Sequence, residues 1–167
     1  MPPFVVAKAQ ESAMSSVEKT LESMNITLPE VSMPAANYVP TSQSSNLLII
    51  SGQLPMLDGK PHYIGKLGRE ISMEDGQACA KLCALNILAH TKMALGGDLD
   101  RIVKLVRMGI FVNATEEYTD HPKVANGASD FMVALLGDKG KHARAAVGVS
   151  GLPFGVAVEV EAIFEVK

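Results

Sequence analysis

The residues with the clearest chemical promise lie in the last quarter of the chain. Arg144 stands at the mouth of one valine-rich run, and Glu159 and Glu161 lie within a second run ending at Val166. Gly151, Pro153 and Gly155 separate the two runs and supply the backbone freedom and fixed φ of a reversal. The near period-two alternation predicts two short strands. In the second, Val156, Val158, Val160, Ala162 and Phe164 share one face, and Glu159, Glu161, Ile163 and Glu165 share the other. A guanidinium and a carboxylate on neighbouring strands can hold an anionic substrate beside an acid. They can equally form a solvated ion pair, and spacing alone favours that plainer account because exposed pairs are common and weak. Register bears on the choice. Glu159 opposite Ala146 would share a face with Arg144, and a slip of one residue would separate them.

Other reactive residues are sparse. His62, His90, His121 and His142 are scattered without ligand spacing, so no metal is expected. Cys79 and Cys83 lie four apart in a predicted helix, poorly placed for a disulfide with each other, and read as buried thiols in a reducing compartment. There is no Gly-x-Ser-x-Gly elbow, phosphate-binding glycine loop or His-Glu-x-x-His. Chemistry here would rest on positioning and electrostatics, without a covalent nucleophile or cofactor. Tyr38, before a proline, reads first as packing. Gly52, at the end of an apolar run, marks a place where backbone approaches another backbone or a ligand.

The elements that must position these residues can be traced along the chain. Residues 1–7 suggest a loose or edge strand. Met14, Val17, Leu21 and Met24 recur at helical spacing within a helix predicted over 11–24, and Pro29 and Pro34 then carry an irregular stretch to Pro40. A polar turn at Ser44–Asn46 leads into a buried strand over 46–50 with a break at Gly52, followed by an Asp58-Gly59 turn. Ser72 caps a helix running to about Leu95, where Gly96-Gly97 ends it. Residues 101–113 form the expected central strand, with Ile102, Val106, Met108, Ile110 and Val112 on one face and Val103, Leu105, Gly109 and Phe111 on the other. Asp120 should cap a last helix that stops at Gly137, and residues 138–141 form a solvated turn before Arg144. The whole predicts one α+β domain with two main helices on one side of a sheet. The central strand is apolar on both faces, and two helices cover only one, so an oligomer is expected.

With 167 residues the chain suits a single domain with a sizeable core. A net charge of −3 without a basic cluster argues against a nucleic-acid partner. No run approaches membrane-spanning length and no secretion signal opens the chain, so the expected setting is cytoplasmic, with no membrane partner.

A family resemblance adds to this reading. Ala143-Arg144, Val147-Gly-Val149, Leu152-Pro153 and Val158-Glu-Val-Glu-Ala-Ile163 together resemble the C-terminal signature of the RidA (reactive intermediate deaminase, or YjgF) family. Asn37-Tyr38-Val39, Ile50-Ser-Gly-Gln-Leu-Pro55 and Val124-Ala-Asn126 follow the same family in order and near its spacing. The resemblance covers about 38–166 of a single domain, with about 1–36 as an N-terminal extension that carries the first helix. It implies a chorismate-mutase-like α+β fold and homotrimers with sites in the clefts between subunits. It also implies cofactor-free hydrolysis of 2-imino acids and their enamine tautomers to 2-keto acids and ammonia. By the same resemblance, Arg144 is the carboxylate clamp and Glu159 the acid that holds or activates water. Gly52 would offer its N–H to the substrate, and Tyr38, Asn126 and Ala146 would line the pocket. Ala146 replaces a cysteine found in many members, and the turn at 138–141 is longer by one residue than in compact ones. The competing accounts are a trimer that binds small carboxylate metabolites without catalysis, and an RNA-directed activity that the acidic balance disfavours.

Overall fold

A computed structural model describes residues 13–32 and 37–167. The strand expected over 1–7 and residues 11–12 of the first expected helix lie outside the described residues, and that helix begins at Ser16, with residues 13–15 non-helical. The first described helix, α1 (Ser16–Ser23), starts where Ser15 accepts from the Glu18 N–H and the Glu18 side chain reaches back to Ser15, a reciprocal cap. Asp100 ties this start to the core, accepting from Ser16 N (2.8 Å), Ser16 Oγ (2.8 Å) and Val17 N (3.1 Å). Leu21 is buried beneath the helix, and Glu18 pairs with Lys92 of the next helix.

The main sheet has five strands in the order β1-β2-β7-β5-β6. They are β1 (Thr41–Ser44), β2 (Leu47–Gln53), β5 (Ile102–Asn113), β6 (Ala143–Val149) and β7 (Val158–Val166). A separate hairpin, β3 (Met56–Leu57) and β4 (Lys60–Pro61), closes around Asp58 and Gly59, both at positive φ. Helices α2 (Met73–Ala94) and α3 (His121–Leu136) pack on one face, so the α+β arrangement is as expected. Ser72 caps α2 through the Asp75 N–H. The cap expected from Asp120 is different. It occupies the cap position of α3, but its carboxylate turns to Lys123 (3.1 Å) instead of the helix N–H groups. β1 was not predicted, because Thr-Ser-Gln-Ser offers no apolar alternation. It exists as an edge strand paired to β2.

Three expectations about the sheet are corrected. The middle strand is β7, with β5 beside it. The arginine and glutamate strands are therefore not neighbours: β5 lies between them, parallel to β6 and antiparallel to β7. The segment from Ser150 to Ala157 must step across a whole strand, which a two-to-five-residue hairpin loop does not do. Within β5, irregularities between Ile102 and Lys104 and between Leu105 and Arg107 shift the alternation. Leu105 consequently joins the covered face opposite Phe164, and Val106 falls at the bulge, reversing the predicted faces for these two residues.

The core lies between the helices and the covered face, where Met108, Ile110, Val112, Val158, Val160 and Phe164 are almost fully buried. The alternate residues of β7 and β5, including Glu159, Glu161, Ile163 and Phe111, are only half-buried on the other face. Among the described residues no helix is long and apolar enough to cross a membrane. Cys79 and Cys83 are free and buried in α2.

Helices α2 and α3 touch at Gly127, where a Cβ would stand 2.1 Å from the Gln77 carbonyl oxygen. Gly127→Ala must push backbone from backbone, and a destabilisation of about 1–3 kcal/mol is expected by urea denaturation. An unchanged midpoint would show that this contact does not set the helix spacing.

Candidate active site in two halves

Arg144 begins on β6 beside Met108, a residue of the covered face, and its guanidinium reaches α3. Pro122, Asn126 and Ser129 lie at i, i+4 and i+7, so one stripe of that helix meets it. Nη1 donates to Asn126 Oδ1 (2.9 Å) and to Ser129 Oγ (2.9 Å), and Nη2 donates to the Pro122 carbonyl (3.2 Å). Ala146, two residues along β6, sits beside Ile110 on the same face and packs against the core. Arg144, Asn126 and Ala146 are thus brought together. Ser129 and its own partner His142 (Oγ to Nε2, 3.0 Å) were not foreseen. The spacing of Ser129 from Asn126 was the available signal.

Glu159 belongs to a second group. It pairs with Phe111, three residues from the partner of Arg144, and so lies on the opposite face of the sheet. The register that would have joined Glu159 to Arg144 is the one the protein does not have: Glu159 aligns through Phe111 with Val147, one residue beyond Ala146. Its carboxylate lies against Gly52, where a Cβ would fall 2.0 Å from Oε1. Gly52 sits in the irregular end of β2, where pairing jumps from Ile50 to Gln53. The break expected at Gly52 is therefore a bulge that makes room for the acid. Burial, and secondarily the charge of Glu161, hold the Glu159 carboxyl above its ordinary value. Glu161 pairs with Arg107 (3.1 Å) and lies over Gly109, where a Cβ would be 2.7 Å away.

Tyr38 is 57% exposed and helps to line a cleft of about 230 Å³ that also touches Gly52, Asn86, His90 and Phe154. His90 is buried, which lowers its basicity, and its Nδ1 has no partner among the described residues. Each half carries part of the expected site. One offers a cation shaped for a carboxylate, and the other offers an acid beside an open backbone.

The family described as YjgF/chorismate_mutase-like, putative endoribonuclease, matches residues 18–164. The chain belongs to this family. Its RidA and YjgF members share the fold. Protein TCP17 of Trypanosoma cruzi is 43% identical over 156 residues, spanning 93% of this chain and 97% of that one. The crystal structure of Atu1372 from Agrobacterium tumefaciens, a protein of unknown function, is 44% identical with a TM-score of 0.84, covering 90% of this chain and 94% of the other. A structure from Shewanella oneidensis, described as a putative endoribonuclease, is 33% identical with a TM-score of 0.87, covering 91% and 100%. The family match begins inside α1, so most of that helix falls within the matched region.

The raised Glu159 carboxyl has a consequence for stability. Between its ordinary and its raised value the folded chain holds more protons than the unfolded one, so stability falls as pH rises through that window. Glu159→Gln removes the fall. The variant should be more stable than the native protein at neutral pH and equal to it in acid below the ordinary value of 4.5, measured by urea denaturation at both pH values. Equal stability at neutral pH would mean that the carboxylate carries no burial cost.

Proposed function

We propose that this protein hydrolyses 2-imino acids and their enamine tautomers to 2-keto acids and ammonia. We propose further that it does so as a homotrimer, in sites completed between copies. The observation that carries this reading is the division of the constellation. Arg144, Asn126 and Ala146 lie on the helix-covered side of the sheet, and Glu159 lies with Gly52 on the other. A neighbouring copy, seated on the uncovered face, can bring the Arg144 half of one chain to the Glu159 half of the next. That arrangement also covers the half-exposed apolar residues Phe111, Val147 and Ile163.

The chemistry follows from the groups present. A guanidinium has five N–H donors. Three of those of Arg144 are taken by Asn126, Ser129 and Pro122, leaving Nε–H and one Nη2–H without a partner among the described residues. Two free donors on a held planar group suit a substrate carboxylate. The Gly52 backbone N–H adds a further donor. Glu159 as the carboxylate takes a proton from water as the oxygen attacks the imine carbon, and returns it to nitrogen. In the resulting carbinolamine the hydroxyl proton passes through the same carboxylate to the amino nitrogen, and ammonia leaves as the C–N bond breaks and the C=O bond of the keto acid forms. A carboxyl raised by burial is nearer in proton affinity to these partners than an ordinary one. Tyr38 would close the pocket over the substrate side chain. No cofactor is required. The free thiols Cys79 and Cys83 suit a reducing compartment such as the cytoplasm.

The test is release of 2-ketobutanoate from 2-iminobutanoate generated in situ. The native protein should accelerate it, and Arg144→Ala and Glu159→Gln should each abolish the acceleration while remaining trimeric. Co-folding the two inactive variants in equal amounts should restore about a quarter of native activity, because a random heterologous ring pairs intact halves at one interface in four. No recovery would place both halves of each site in one chain. If the native protein binds 2-ketobutanoate through Arg144 yet speeds nothing, it is a carboxylate-binding protein instead.

The acid limb of the pH–rate profile should lie above the ordinary glutamate range, and Glu161→Gln should move it to lower pH by removing a neighbouring negative charge. A limb insensitive to Glu161 would assign it to another group.

A further inference from the structure

We propose that Ser129 and His142 are positioning residues that fix the guanidinium of Arg144 as an anion receptor. The proposal rests on the role given to Arg144 above. The geometry allows only one arrangement of protons when His142 is neutral. His142 Nδ1 lies 2.6 Å from the Gly140 carbonyl oxygen, which can only accept, so Nδ1 carries the hydrogen. Nε2 is then the acceptor, and Ser129 Oγ, 3.0 Å away, donates to it. The lone pairs of the hydroxyl are thereby turned to Arg144, whose Nη1 donates to it at 2.9 Å. The hydrogen bonds run in one direction, from guanidinium to hydroxyl to imidazole to backbone, so each polarises the next.

This matters because Arg144 is on an exposed edge and its side chain is long. Holding such a chain in one geometry opposes considerable rotamer entropy. A serine hydroxyl is itself a rotor, and it holds a guanidinium well only when something fixes its hydrogen. His142 does so, and its ring is anchored in turn by Gly140. That glycine is buried, and a Cβ there would stand 2.3 Å from the Met132 carbonyl oxygen of α3. The tight turn Gly137–Gly140 is therefore packed on the helix that carries Ser129, so both ends of the chain of hydrogen bonds share one support. The turn at 138–141 is solvated at Asp138, Lys139 and Lys141, as expected, and its buried glycine is the far anchor of the receptor.

Two measurements test the proposal. The first is calorimetric binding of 2-ketobutanoate to the intact assembly. Ser129→Ala and His142→Phe should each weaken it by about tenfold, the scale of one charge-assisted hydrogen bond, and Ser129→Thr should restore it. In turnover the loss should fall on KM, with kcat largely kept. If Arg144→Ala abolishes binding and Ser129→Ala leaves it unchanged, this proposal falls and the carboxylate-clamp reading survives. If Arg144→Ala has no effect on binding, the clamp reading falls. The second measurement needs no ligand. Nitrogen-15 NMR should show His142 with hydrogen on Nδ1 and slow rotation of the Arg144 guanidinium, and Ser129→Ala should free that rotation. A guanidinium as mobile in the native protein as in Ser129→Ala, or a His142 ring with hydrogen on Nε2 instead, overturns the proposal whatever the binding result.

Discussion

One strand separates the two chemical groups of this protein. β5 pairs with β6 on one side and β7 on the other, so Arg144 and Glu159 start from strands that never touch. Their registers on β5 differ by three residues, an odd number, and an odd offset in a pleated sheet means opposite faces. Other features follow from this constraint. α3 can bracket the guanidinium because Arg144 is on the helix side. Gly52 must lack a side chain because Glu159 is on the bare side and bends over β2.

The two faces are built by different physics. The helix side is held by burial of aliphatic and small residues, with Gly127 letting α2 and α3 approach to backbone contact. The bare side holds glutamates on alternate positions of β7, and a glycine lies beneath each of the first two: Gly52 beneath Glu159 and Gly109 beneath Glu161. Missing Cβ atoms allow carboxylates to lie flat on the sheet, where for Glu159 partial loss of solvent raises the carboxyl above its ordinary value. Arg107 partners Glu161, and Glu159 has no salt bridge among the described residues.

Much of this was legible in the sequence. Period-two alternation in 156–164 placed the glutamates on the face opposite the core, and Ser72 with Gly96-Gly97 bounded α2 to within a residue or two. The motif order identified the family before any coordinates. Pairing was less legible. Hydrophobic pattern gives the face of a strand but not its neighbour, and the glycine-proline segment after β6 has the composition of a hairpin turn while serving as a crossover. The bulges in β5 interrupted the alternation at Leu105 and Val106 without any proline or glycine to mark them. The bracket around Arg144 needed two distant segments, α3 and the start of β6, to be superposed, and a single chain pattern does not contain that superposition.

The packed turn at Gly137–Gly140 also limits how the chain can vary. Surface turns usually absorb changes of length because little depends on where they end. Here the register of β6 begins three residues after that turn, and the imidazole it anchors sits between. An inserted residue would therefore displace a charged group some distance away in the fold, without touching any residue that meets a substrate. In this chain the length of the turn and the bare backbone of Gly140 together hold that group in place.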